Sequence, residues 1–205
     1  MNFSQIMNNL LQNASVDDEA ADRWESEQRQ RAFGEWQKNS GMETSYFGAM
    51  LERVNPAAAG KVAAFIQNVQ NGGCLVLLGG VGTGKTYTAC AVMNRLERGV
   101  YIDMPELRLK LSTADRYGSH ESRESLLHRL AETNLLVLDE VGRFGNAQEQ
   151  EVLFYLIDKR YANGRATVII SNLSKKEFAD YAGQAVIDRI RSQCTFIEFA
   201  GQSLR

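Results

Sequence analysis

The stretch Cys74-Leu-Val-Leu-Leu-Gly-Gly-Val-Gly-Thr-Gly-Lys-Thr86 joins five apolar residues to a full G-x-x-x-x-G-K-[ST] motif, and Tyr87-Thr-Ala-Cys-Ala-Val-Met-Asn-Arg-Leu96 continues it with helical character. A short apolar run bounded by glycines suits a buried strand, so the motif has the strand, loop and helix around it that a phosphate-binding loop requires. Its glycines admit positive φ and let backbone N–H groups turn inward, and the helix start behind them adds partial positive charge. The sequence therefore predicts that Gly80, Val81, Gly82, Thr83, Gly84, Lys85, Thr86 and Tyr87 hold a nucleotide. In that arrangement Lys85 reaches the β- and γ-phosphates and Thr86 ligates Mg²⁺.

Four further runs of strand length follow, separated by helical stretches: Gly99-Val-Tyr-Ile-Asp103, Leu135-Leu-Val-Leu138, Ala166-Thr-Val-Ile-Ile170 and Cys194-Thr-Phe-Ile-Glu-Phe199. Buried strands alternating with helices predict an α/β fold, with a five-stranded parallel sheet between helices. The third run leads into Asp139-Glu140, 54 residues after Lys85, at the carboxyl edge of the sheet where ligands bind in such folds. Asp139 is expected to hold Mg²⁺ through water, and Glu140 to polarise a water in line with the γ-phosphate. Ser171-Asn172 follows the fourth run. With that strand between the first and third, Asn172 reaches the γ-phosphate or the attacking water.

The 205 residues are 44% hydrophobic and 23% charged, which excludes a disordered tail or a fibre and fits one domain with a short appendage. Lys and Arg number 23 against 25 Asp and Glu, so any nucleic-acid contact must come from a local patch rather than from overall charge. Cys74, Cys90 and Cys194 are far apart in the sequence and form no metal-ligand spacing with histidine, which suggests a reducing compartment. His120 and His128 have no partner pattern that lifts them above surface histidines. With no signal-peptide pattern at the start and no apolar stretch long enough to span a membrane, the expectation is a cytoplasmic protein.

Composition shifts near the first proline, with five basic against nine acidic residues over 1–60 and eighteen against sixteen thereafter. Residues 1–54 read as a helical N-terminal partner-binding region and 55–205 as the nucleotide-binding domain. Phe3, Ile6, Met7, Leu10 and Leu11 fall on one helical face, and Ser15-Val-Asp-Asp-Glu-Ala offers a capping start for a second, polar helical segment over residues 17–38 carrying Trp24, Phe33 and Trp36. These apolar stripes suit either a partner or folding back onto the core. Asn55-Pro56 marks a break, and a helix from Lys61 stops at Asn71-Gly72-Gly73.

The motifs Gly-Gly-Val-Gly-Thr-Gly-Lys-Thr, Leu-Leu-Val-Leu-Asp-Glu-Val-Gly, Tyr-Ala-Asn-Gly-Arg-Ala-Thr-Val-Ile-Ile-Ser-Asn-Leu and Ile-Asp-Arg-Ile-Arg-Ser-Gln-Cys, with the closing Glu-Phe-Ala-Gly-Gln-Ser-Leu-Arg, occur here in one order. Together, over about residues 60–205, they resemble the AAA+ ATPases of the DnaC/DnaI helicase-loader and IstB transposition-helper group. The resemblance implies a P-loop NTPase fold of the AAA+ (ASCE) type, with ATP and Mg²⁺ as cofactors. It implies that Asn172 senses the γ-phosphate, that Arg189 is an arginine finger acting in a neighbouring subunit's site with Arg191 as a competing assignment, and that Arg205 is a second-sensor arginine. Self-association through the ATP site follows from a finger acting in trans. This chain carries Val81 where the family commonly has proline, a change in loop stiffness more than in chemistry. No cysteine zinc site precedes its ATPase core, although some loaders have one.

In the loaders and initiators of this group the segment between the second and third strands carries a helical insertion that contacts single-stranded DNA. Here Arg108, Lys110, Arg116, Tyr117 and Arg123 offer cations and an aromatic for that role, diluted by Glu106, Asp115, Glu121 and Glu124; an ordinary solvated helix pair is the competing reading. The function implied is an ATP-dependent loader of a hexameric replicative helicase onto single-stranded DNA, with no membrane partner. The IstB-like alternative acts on duplex DNA with a transposase. The opening helix, the polar stretch and Ser40-Gly41-Met42 leading to Tyr46-Phe47 look more like the loader arrangement. A nucleotide-gated adaptor that scarcely hydrolyses ATP is disfavoured by Glu140, and a small-molecule kinase by the lack of an arginine-rich lid.

Overall fold

A computed structural model describes the backbone of residues 3–114, 121–191 and 194–200, and the side chains of these from residue 21 onward. The chain divides into two compact units, Met1–Asn39 and Ser40–Arg205. The first is a helix, α1 (Phe3–Asn39), of 37 residues. The break expected around Ser15 does not occur. A capping side chain starts a helix only where the preceding backbone leaves helical angles, and between Phe3 and Asn39 there is no proline and only Gly34. The apolar stripe from Phe3 to Leu11 lies outside the described side chains. Further along α1, Trp24 is 61% exposed, and the rings of Phe33 and Trp36 lie 5.5 Å apart.

Residues 40–54, grouped by composition with the N-terminal region, belong to the second unit. They form two 3₁₀ turns, Thr44–Tyr46 and Leu51–Arg53. The helix expected from Lys61 begins earlier, as α2 (Pro56–Asn68). What reads as a break is a start signal: the Asn55 side chain accepts the Ala57 N–H, and Pro56 occupies the first turn, where its missing N–H costs nothing.

The strands β1 (Cys74–Gly79), β2 (Val100–Asp103), β3 (Leu135–Asp139), β4 (Ala166–Ser171) and β5 (Cys194–Phe199) form one parallel sheet in the order β2-β3-β4-β1-β5. Between them run α3 (Lys85–Leu96), α4 (Met104–Ala114), α5 (Arg123–Glu132), α6 (Ala147–Ala162) and α7 (Lys175–Arg191), the last kinked at Gly183. Val76, Leu78, Ile102, Leu136, Leu138 and Ile169 pack on one face of the sheet with apolar residues of α4, α5, α6 and α7. The two-residue period of a strand turns Leu75, Leu77, Val137 and Val168 to the other face, where α2 and α3 pack. That same alternation puts Tyr101, Asp103 and Asp139 on the α3 side, at the carboxyl ends of β2 and β3. The sheet thereby aims two acids and a phenol at the start of α3.

Arg160 of α6 is only 1% exposed. Its guanidinium donates to Leu130 O at 2.7 Å, Ala131 O at 3.2 Å and Thr133 O at 2.8 Å, and also to Thr167 Oγ1 and Ala166 O. It closes the carboxyl end of α5, whose last carbonyls have no partners within the helix.

The cysteines are not isolated. Cys74 and Cys194, 120 residues apart, are register partners on β1 and β5 and are joined by a disulfide, while Cys90 is a buried free thiol. Sequence spacing gave no sign of this because parallel strands bring distant residues side by side. With this bond, the cysteines no longer point to a reducing compartment, contrary to the expectation from their spacing. Among the described residues, no helix is long and apolar enough to cross a membrane.

Candidate active site

A cavity of about 800 Å³ opens at the carboxyl edge of the sheet, lined by residues from the loop after β1, the ends of β2 and β3, and the residue following β4. Val81, Gly82, Thr83, Gly84, Lys85, Thr86 and Tyr87 all line it. Gly80 does not, but its carbonyl shapes the loop from behind, accepting from Thr83 Oγ1 at 2.9 Å and Lys85 Nζ at 2.6 Å. Lys85 Nζ also donates to Gly79 O at 2.7 Å. Lys85 is 5% exposed, and its partners are carbonyls rather than a carboxylate. Burial pushes its pKa down, with Asp139 pulling the other way. A buried cation held by carbonyl dipoles at the start of a helix is the electrostatic complement of a phosphate.

Asp139 meets α3 directly. Its Oδ2 accepts from Thr86 Oγ1 and from Tyr101 Oη, both at 2.8 Å, and its Oδ1 accepts the Glu140 N–H at 2.6 Å. Burial raises its pKa, while the three hydrogen bonds oppose that shift. The Thr86 hydroxyl donates its hydrogen bond to Asp139, so its oxygen lone pairs remain to face a metal. A hydroxyl and a carboxylate are hard oxygen donors of the kind Mg²⁺ takes, so the residues present fit both the nucleotide and the metal.

Glu140 lines the cavity with φ of 55°, a left-handed backbone unusual for a residue with a side chain. Several contacts hold this turn. Val141 N donates to Ile170 O at 3.0 Å, and Ser171 Oγ donates to Val141 O at 2.6 Å. Glu149 of α6 accepts the N–H groups of Gly142, Phe144 and Gly145. Ser171 thus ties the turn after β3 to the end of β4, and the next residue, Asn172, lines the same cavity as Glu140.

Not every predicted residue is in the cavity. Arg189 of α7 is ion-paired with Asp158 of α6, and its guanidinium carbon lies 5.1 Å from the Phe154 ring centroid. Arg205, Arg116 and Tyr117 lie outside the described residues. In α4, Arg108 stacks on Phe144 at 4.8 Å and Lys110 pairs with Glu106 at 3.0 Å.

The cavity also contains residues that no motif marked. Asn94 Nδ2 donates to the carbonyls of Tyr46, Phe47 and Ala49, and the Tyr87 hydroxyl accepts Met50 N–H at 3.1 Å. These bonds fasten residues 46–50 to α3. Glu43, Tyr46, Arg53 and Val54 are thereby carried to the cavity wall. Tyr101 and Phe199 line it too. Nothing in the local sequence distinguishes them from ordinary strand and loop residues.

Residues 57–205 match the family model described as IstB-like ATP binding protein. The chain is 28% identical over 144 residues to the replicative helicase loader DnaC of Buchnera aphidicola subsp. Schizaphis graminum, covering 68% of this chain and 57% of that one. It is 31% identical over 121 residues to the replicative helicase loader DnaC of Escherichia coli, covering 57% and 49%. The chain thus spans about half the length of these curated relatives. Its fold resembles a crystal structure of the DnaC helicase loader, with a TM-score of 0.64 at 22% identity, over 77% of this chain and 100% of that one.

Proposed function

The chain belongs to the IstB-like ATP binding protein family, and on that footing we propose that it is an ATPase that loads a replicative DNA helicase onto single-stranded DNA. The observation that carries this reading is the convergence of Lys85, Thr86, Asp139, Glu140 and Asn172 on one cavity. That set supplies the phosphate-binding, metal-holding and base groups of phosphoryl transfer to water. Lys85 and the loop amides neutralise the β- and γ-phosphates, and Thr86 with Asp139 holds Mg²⁺, which when bound offsets phosphate charge. Glu140 takes a proton from water as the water oxygen bonds to the γ-phosphorus. The bond from that phosphorus to the β,γ-bridging oxygen breaks, leaving ADP and phosphate. Asn172 orients the water or the γ-phosphate.

Arg189 acts in this reading from a neighbouring subunit, so turnover depends on assembly. Its ion pair with Asp158 keeps the guanidinium ordered in the single chain. The similarity to DnaC helicase loaders supports a helicase partner, and α1 is the candidate grip. Arg108 and Lys110 of α4, with Arg123 of α5, supply the cations for single-stranded DNA. The reaction is cytoplasmic under this reading.

The test is to mix the protein with the replicative helicase of its host and measure the mass of the particle with ATP and with ADP. A discrete complex of ring plus several copies, lost on deleting residues 1–39, is the expected result. The family match to IstB-like proteins favours a second reading, a transposition helper on duplex DNA. No complex with the helicase under either nucleotide, together with filaments on duplex DNA, would establish that reading instead.

A further inference from the structure

Tyr101 stands at a junction that the P-loop chemistry does not by itself require. Its phenol is the second of two O–H donors on Asp139 Oδ2; the other, Thr86, comes from α3. A phenylalanine would fill the same space on β2, so the hydroxyl is there for the carboxylate. Held by Thr86 and Tyr101 on one oxygen and by the Glu140 amide on the other, the Asp139 carboxylate is fixed in rotation.

The backbone of the same residue faces the other way. Among the described residues β2 is an edge strand, paired only with β3. On its open side Tyr101 N–H donates to Ser40 O at 2.7 Å. Gly41 lies so close that a Cβ there would sit 2.1 Å from Tyr101 O, and its φ of 83° is one that glycine takes without strain. Ser40 is the first residue after α1 in the chain, is 1% exposed, and its hydroxyl accepts the Met42 N–H at 3.2 Å. One residue therefore contacts the metal-site carboxylate through its side chain and the segment leaving α1 through its backbone.

We infer that Tyr101 is a positioning residue that couples Mg²⁺-nucleotide occupancy at Asp139 to the docking of residues 40–42 against β2. Thr86 and Asp139 would hold Mg²⁺, whose charge would compete with the Tyr101 hydroxyl for Asp139, and Tyr101 joins that carboxylate to the strand edge on which Ser40 and Gly41 rest. The inference rests on the nucleotide reading of the cavity and extends it to a regulatory route toward α1.

The experiment uses the full chain and an N-methylanthraniloyl derivative of ADP, titrated in Mg²⁺ and in EDTA, with amide hydrogen exchange followed over residues 40–46. Tyr101→Phe should weaken binding in Mg²⁺ about tenfold, the loss expected for a hydrogen bond to a charged group, and leave binding in EDTA unchanged. The slowing of exchange at 40–46 that Mg²⁺-nucleotide produces in the wild type should disappear in this variant. Gly41→Ala keeps the hydroxyl but forces the segment off the strand, and should also abolish that slowing. Equal losses in Mg²⁺ and EDTA would make Tyr101 merely structural and overturn the inference, as would undiminished slowing in either variant. A wild type that binds no nucleotide would bring down the ATPase reading itself, whereas binding indifferent to the hydroxyl overturns only this coupling.

Discussion

The carboxylate of Glu140 is ion-paired with the guanidinium of Arg143, three residues further along the same turn. That pair ties the carboxylate to the turn, and removing the guanidinium frees it for the cavity that Glu140 lines. Arg143→Ala should therefore raise basal phosphate release severalfold in the absence of partners. The direction follows from geometry, since a general base must come within hydrogen-bond reach of the water it deprotonates. Steady-state release of phosphate measures it, and a fall in rate would mean that Arg143 serves the reaction directly.

Glu140→Gln removes the base while keeping the shape of the side chain. Turnover should drop by about a hundredfold or more, with nucleotide affinity retained. Lys85→Ala, in contrast, should abolish detectable nucleotide binding while the far-ultraviolet circular dichroism stays that of the wild type. Comparing nucleotide binding and hydrolysis in the two variants separates binding from chemistry.

Arg189 is paired with Asp158 near the surface, where such a bridge contributes at most about 1 kcal/mol. Arg189→Ala should accordingly leave the melting temperature nearly unchanged, and single-chain nucleotide affinity with it. Its effect should show in assembled protein. Mixing inactive Arg189→Ala chains with inactive Lys85→Ala chains should restore part of the activity, because the second supplies the finger that the first lacks. Mixtures as inactive as either variant alone would rule out action in trans.

Arg160 predicts a purely structural defect. Arg160→Ala strands the carbonyls at the end of α5 and that of Ala166 in a buried place, at a cost on the order of 3–5 kcal/mol. A lower urea midpoint checks this. The protein that remains folded should still bind nucleotide, since Arg160 is no part of the cavity lining.

The strands, their parallel arrangement and the P-loop were readable because each depends on neighbours in sequence. An apolar run, a glycine turn and a helix start specify backbone and phosphate chemistry within a dozen residues, as Cys74 to Thr86 shows. Local signals also misled where they were weak. Asn55-Pro56 read as a break when it caps α2, and Ser15 read as a helix start when α1 runs through it.

By itself, the sequence determined the element order, the phosphate loop and the identity of the strand-end residues Asp139, Glu140 and Asn172. Only the tertiary structure decided that Tyr101 contacts Asp139, that Glu149 holds the turn after Glu140, that Glu43, Tyr46, Arg53 and Val54 wall the cavity and that Cys74 meets Cys194. The reason is physical: these partners meet only after parallel strands set their register and the edge of β2 finds a segment to cover it. Their residue types carry no local mark of that meeting, because a tyrosine on a strand or a glutamate in the first turn of a helix is already accounted for by the element in which it stands.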